Sequence, residues 1–231
     1  MSNRIFIPNI VRLSEGRGAR PPGGRVGTRN LLPAGIAESA RFAVYCPGEE
    51  AEYMSDFFEL IARRESCRSY AATPVEEEKL LRCLDAARLA PSACNGQPWS
   101  FLAVRTPTLA AQLAACTQSA GMNRFTSACP CFVVLVEEKD SLTARAGARL
   151  KKQDFVSLDL GLAAAQFCLA ATAQGLSTCM LGWFDEDRVR ALLDIPGDRR
   201  VRLIICLGYA AETGAPRPKN RKPLDAVVTL R

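Results

Sequence analysis

The 231-residue chain contains no histidine. Without an imidazole there is no His base for a serine or cysteine hydrolase, no HExxH zinc protease and no His-based catalytic zinc site. If the chain is an enzyme, a cofactor is expected to carry the difficult chemistry. No Cys-x-x-Cys occurs among the ten cysteines, and the one close pair, Cys129 and Cys131, flanks a proline before an apolar run. Zinc or iron–sulfur ligation has weak support, and no metal is expected. Aromatic residues make up 7% and no basic run is interleaved with them, which argues against a nucleic-acid platform. No apolar run approaches the length of a membrane span and no signal-peptide core opens the chain, so no membrane association is expected. Neither GxGxxG nor GxxxxGK occurs, and there is no internal repeat.

What is present is an ordinary globular composition, 48% hydrophobic and 23% charged, in a length that suits one moderate domain or a domain with an appendage. A net charge of +6 fits a bound anionic cofactor as easily as other partners. Several cysteines lie inside apolar patterns, as in Phe167-Cys168-Leu169 and Ile205-Cys206-Leu207, and read as small buried hydrophobes in a reducing, cytoplasmic setting.

Residues 1–53 differ from the rest: they include seven Arg, no Lys and no Asp, with Gly and Pro concentrated in 16–25. Such a stretch buries too little apolar surface to offset its ordering entropy, so a disordered leader is expected. A second reading is that the functional polypeptide begins at Met54, leaving residues 54–231 as the folded domain. In that domain the periodicity predicts helices over 55–63, 74–89, 108–116, 153–173 and 185–193. Thr73 is expected as an N-cap, with Pro74 at N1 and Glu76 closing a capping box. Buried strands are expected over 100–104, 131–136 and 201–209, a strand and turn over 177–183, an edge strand over 227–230, and a charged connection or lid over 137–152.

Four stretches carry candidate chemistry. Residues 63–70 hold three arginines and two serines, which suits either a phosphate site or a solvated basic face. Residues 91–99, rich in Ser, Asn, Gly and Gln, suit either a heteroaromatic ligand or a plain turn. The remaining two are the strand leading to Gly182 and the basic, Pro-punctuated tail containing Lys219 and Arg221.

Taken together, Arg64-x-Ser66-x-Arg68-x-Tyr70, Pro91-Ser92-x-x-Asn95-x-Gln97-Pro98-Trp99, the segment from Gly175 to Gly182 with Ile195-Pro196, and Lys219-x-Arg221-x-Pro223 resemble the nitroreductase family of FMN-dependent oxidoreductases. The resemblance spans about residues 55–231. It implies an α+β fold, a central mixed sheet flanked by helices, in an intertwined homodimer with FMN at the interface. By the same resemblance Arg64, Ser66, Lys219 and Arg221 hold the phosphate and ribityl chain, and Arg68 lies near the pyrimidine edge. Pro91, Ser92, Ala93 and Asn95 come from the opposite subunit, and Leu181 and Gly182 run along the ring near N5. Asn123 is a candidate for an asparagine that some members contribute before the second strand.

The implied reaction takes hydride from NADH or NADPH and passes it to a nitroaromatic, quinone or similar acceptor by a ping-pong scheme, with no catalytic side chain required. Dehalogenation or oxygen-dependent chemistry within the superfamily, or flavin binding without turnover, are the alternatives. The sequence departs from the better-studied members at Leu181, where an acidic or polar residue is common, and at Glu65, beside the expected phosphate.

Overall fold

The buried strands are apolar on both faces because both faces are covered. In the computed structural model, which describes residues 10–13, 50–139, 147, 150, 152–212, 214 and 217–231, five strands form one sheet in the order β1-β2-β3-β5-β4. They are β1 Ile10–Leu13, β2 Trp99–Val104, β3 Cys131–Glu137, β4 Ser177–Leu181 and β5 Arg200–Gly208. The helices that accompany them include α1 Glu50–Arg63, α2 Glu77–Arg88, α3 Pro107–Thr117, α4 Phe155–Ala173 and α5 Glu186–Leu193.

Successive strand residues point to opposite faces. Leu102, Val104, Phe132, Val134, Ile204 and Cys206 join one buried cluster with α3 and α5, whereas Phe101, Ala103, Val133, Leu135, Ile205 and Leu207 join another with α2 and α4. The result is an α/β/α sandwich of the α+β class.

Every pairing among these strands is antiparallel, where a mixed sheet was expected. The cause is where the long connections begin and end. β2 finishes at Val104, and β3 starts beside it, with Phe132 opposite Val104. The chain between them therefore leaves and returns at the same end of the sheet. β4 and β5 do the same, with Leu181 opposite Ile204. The one isolated parallel bridge among the described residues joins Ser66 to Thr178.

Helix α4 is long and apolar enough to cross a membrane by length and composition, contrary to the expectation that no such run exists. Here it is a core helix: Leu160, Ala163, Ala164, Phe167, Cys168 and Ala171 are buried against the sheet. Asp154 caps its first turn by accepting from the Ser157 amide at 3.0 Å, and Gly175, at φ 74°, ends it in a left-handed turn. The opposite face leaves Leu158 and Leu162 exposed. Phe57, Phe58 and Ile61 of α1 are exposed as well. Between α1, α2 and α4 runs an open apolar groove of about 290 Å³, lined by Leu60, Leu89, Leu169 and Ala173 among others.

Three local expectations are corrected. Helix α2 begins at Glu77, not Pro74, and Glu76 makes no side-chain cap. Its carboxylate instead accepts from the Tyr209 hydroxyl at 2.8 and 2.9 Å, while Val75 is drawn into the core, which keeps residues 73–76 extended. α1 begins at Glu50, five residues ahead of the helix start expected at 55. Residues 227–230 form no strand; they follow the short turn Leu224–Ala226 and are exposed. Of the leader, only Ile10–Leu13 and the start of α1 are described, and Ile10–Leu13 pairs with β2; the expected disorder otherwise concerns residues outside the described set. Residues 140–146 of the expected lid are outside it too.

Candidate active site

Residues 64–71 leave α1 and run along the β4–β5 corner of the sheet. Backbone hydrogen bonds fix both ends of this strip: Cys67 N donates to Thr178 O and Ala71 N to Tyr209 O, each at 2.9 Å. Tyr70 is buried beneath it, donating to Cys67 O at 3.2 Å and stacking on Phe125 at 6.5 Å between centroids. Burial drives the Tyr70 hydroxyl pKa far above its usual value, with four surrounding thiols, Cys206, Cys129, Cys67 and Cys179, adding to the effect. This aromatic ring demands room on β5. A Cβ at Gly208 would sit 2.9 Å from both Tyr70 and Pro130, closer than van der Waals contact permits.

The strip presents Arg64 and Ser66 half-buried and Arg68 exposed. Onto it folds the C-terminal tail. Lys219 Nζ donates to Arg64 O at 2.8 Å, and Arg217 donates to Ser66 O at 2.7 Å and to the Glu65 carboxylate at 3.0 Å. Burial raises the Glu65 carboxyl, but hydrogen bonds and charge from Arg217, with Lys219 behind them, outweigh it and hold the group below the usual carboxylate range. Glu65 thus has a reason to stand beside a basic cluster: it latches the tail. Arg221 is exposed and donates to Asn220 O at 2.9 Å, so its guanidinium is not drawn onto the strip.

The neighbouring strand β4 delivers the next two predicted residues. Leu181 is buried and paired with Ile204, and Gly182 follows it into solvent. A Cβ added at Gly182 would meet nothing within 4 Å, so space is open beside this backbone. Arg68 lies near Cys179 of the same strand, where burial pushes the Cys179 thiol up and the Arg68 charge opposes that rise.

The Pro91–Asn95 residues occupy a different position in the chain, between α2 and β2, and are anchored to α4. The Ala93 amide donates to both oxygens of Asp159 at 3.1 and 3.2 Å, and the Gln97 amide donates to Ser92 Oγ at 3.0 Å. Cys94, Asn95 and Gln97 all hold φ near 50°, a costly conformation for non-glycine residues. Asp159 is buried, and sequence reasoning passed over it although it is the one charged residue in the apolar α4. Arg217 was missed as well. Asn123 is committed to protein carbonyls, donating to Thr117 O at 3.2 Å and Trp183 O at 3.1 Å.

Within one chain, then, Arg64, Ser66, Arg68 and Lys219 gather beside the start of β4, Leu181 and Gly182 lie at the far end of the same strand, and Pro91, Ser92, Ala93 and Asn95 form a second loop. Among the described residues no group of three or more His, Cys, Asp or Glu is arranged to hold a metal ion.

This architecture matches the family model described as the nitroreductase family over residues 61–209. The chain belongs to the nitroreductase family. It is 31% identical over 195 residues to a protein named NADH dehydrogenase from Thermus thermophilus, covering 73% of this chain and 93% of that one. A nitroreductase family protein from Streptococcus pneumoniae superposes with a TM-score of 0.65 at 26% identity, covering 76% of this chain and all of the other. An FMN-dependent nitroreductase from Clostridium difficile gives 0.62 at 25% identity, covering 75% and 98%. This nitroreductase-family chain is an oxidoreductase enzyme.

Proposed function

We propose that this oxidoreductase binds FMN and uses NADH or NADPH to reduce a nitroaromatic, quinone or similar acceptor by a ping-pong scheme. The observation that carries the reading is the docking of the basic tail on residues 64–66, which brings together cations 155 positions apart beside the start of β4, the strand that leads to Gly182.

The residues present fit the cofactor. A phosphate monoester carries about −1.5 to −2 charges at neutral pH, and Arg64 and Lys219 with the Ser66 hydroxyl supply matching donors. Arg68, exposed on the same strip, would act as a fixed cation toward charge that develops on the ring, without reorganising. The open side of Gly182 would let backbone approach a planar ligand closely. FMN, when bound, supplies hydride chemistry. For a quinone acceptor the balance is NAD(P)H + H⁺ + quinone giving NAD(P)⁺ + hydroquinone, the extra proton coming from solvent. No protein acid or base is required, which reconciles catalysis with the absence of histidine.

The working unit in this reading is a homodimer. Phe57, Phe58, Ile61, Leu89, Leu158 and Leu162 expose a band of large apolar side chains around the groove between α1, α2 and α4. A band of that kind suits an extensive subunit interface, across which the Pro91–Asn95 residues would complete the partner's flavin site. The nine described cysteines are unpaired, which supports a reducing, cytoplasmic location.

The test is the absorbance spectrum of the purified protein, followed by anaerobic titration with NADH and NADPH. Bound flavin bleached by one equivalent of either donor is expected; a colourless protein that fails to take up added FMN would overturn the reading.

A further inference from the structure

Among the groups around Gly182, the most exposed large ring is also one of the most firmly held. Trp183 follows Gly182 directly and is 53% solvent-exposed. Its indole Nε1 donates to Ser119 Oγ at 3.0 Å and Ser119 O at 3.2 Å, and its carbonyl accepts from Asn123 at 3.1 Å. Both ring and backbone are therefore tied to the loop after α3. That loop reaches the turn through left-handed Ala120 and Asn123, at φ 54° and 52°.

The core does not need this ring. Phe184, the next residue, packs against the buried cluster under α3 and α5, and Asp185 caps α5 by accepting from the Arg188 amide at 3.1 Å. The Asp185 amide in turn donates to Cys116 O at 2.9 Å. Phe184 and Asp185 anchor the turn on the core side, and the half-exposed indole stands on the residue directly after Gly182.

We propose that Trp183 determines acceptor specificity: a pinned indole wall that selects flat aromatic acceptors over compact, non-aromatic ones. This rests on the reading of Gly182 as the flavin-facing residue. Because the indole N–H is already spent on Ser119, what Trp183 offers an acceptor is its π-surface, so selection is by planarity and polarizability, not by hydrogen bonding. Leu181, buried and apolar, adds no polar contact that would compete. An offset-stacked aromatic pair contributes enough to change affinity about two- to twelvefold.

The experiment compares 1,4-naphthoquinone with ferricyanide as acceptors for the flavin-loaded dimeric enzyme, at saturating NAD(P)H, in wild type, Trp183→Leu and Trp183→Phe. Trp183→Leu is expected to raise KM for naphthoquinone about two- to twelvefold while ferricyanide KM moves less than about twofold. Trp183→Phe, which keeps a π-face, is expected to restore most of the naphthoquinone affinity. Equal changes for both acceptors, or an unchanged naphthoquinone KM, in variants that retain flavin absorbance would overturn this inference alone. A wild-type protein with neither flavin nor turnover would overturn the flavin reading, and this inference with it.

Discussion

Replacing Asp159 with alanine should damage both stability and flavin binding, through a loop that lies outside α4. Asp159 is 4% exposed, and its two oxygens share the Ala93 amide at 3.1 and 3.2 Å. Removal of the carboxylate leaves that amide with no acceptor at a half-buried position, a loss of about 1–3 kcal/mol. It also releases a loop in which Cys94, Asn95 and Gln97 are all left-handed, so the strained conformation loses its anchor. With a loss near 2 kcal/mol and a urea slope near 2 kcal/mol/M, the unfolding midpoint should fall by about 1 M. If the loop must then be re-ordered to receive flavin, the same energy weakens FMN by up to about 30-fold. Asp159→Asn keeps one carbonyl oxygen for the Ala93 amide and should recover more than half of both losses. The assays are urea unfolding of the apoprotein and titration of FMN fluorescence. Alanine and asparagine variants with the same midpoint would refute the reasoning, because the amide acceptor would then not be what Asp159 contributes.

Arg64→Ala should raise the FMN dissociation constant by about 10- to 100-fold, the value of a charge-assisted contact, whereas Glu65→Ala should change it by less than about threefold; equal effects in a fluorescence titration would mean the phosphate is held elsewhere. The Glu65 carboxyl titrates below its ordinary 4.5 because Arg217 outweighs the rise due to burial, so its folded-state contribution is present above pH 4.5 and disappears as pH falls through the depressed value. Glu65→Gln should therefore be less stable than wild type at pH 7 by under about 1 kcal/mol, as suits a pair exposed to solvent, and a urea series should show the gap closing in acid. Of the nine described thiols only Cys94 is exposed, and burial pushes Cys83 and Cys131 up to about 12. Iodoacetamide at pH 8 should spare Cys83 and Cys131 in the native protein and label both on unfolding, and peptide mass mapping that found native label at either would contradict the packing.

What could be read from the residues depended on the range of the interaction involved. The apolar runs at 131–136 and 201–209 announced buried strands because burial on both faces needs no partner to be known. Their mutual direction was hidden, since a connection of helix and turns can return to either end of a sheet and nothing local says which; the antiparallel course appears only once Val104 is seen opposite Phe132. The start of α2 failed for a related reason. Thr73, Pro74 and Glu76 satisfy a local capping rule, but the Glu76 carboxylate is claimed by Tyr209, 133 positions away. Glu65 looked misplaced beside a phosphate-binding segment for the same cause, its partner Arg217 being 152 positions distant. Asp159 is a different case, because its signal was local and available: a single charge in a helix otherwise apolar around its circumference must be buried, and a buried carboxylate requires donors. That charge announced a need for buried donors, and the structure supplies one in the Ala93 amide, 66 positions away, which holds the loop in shape from the core side.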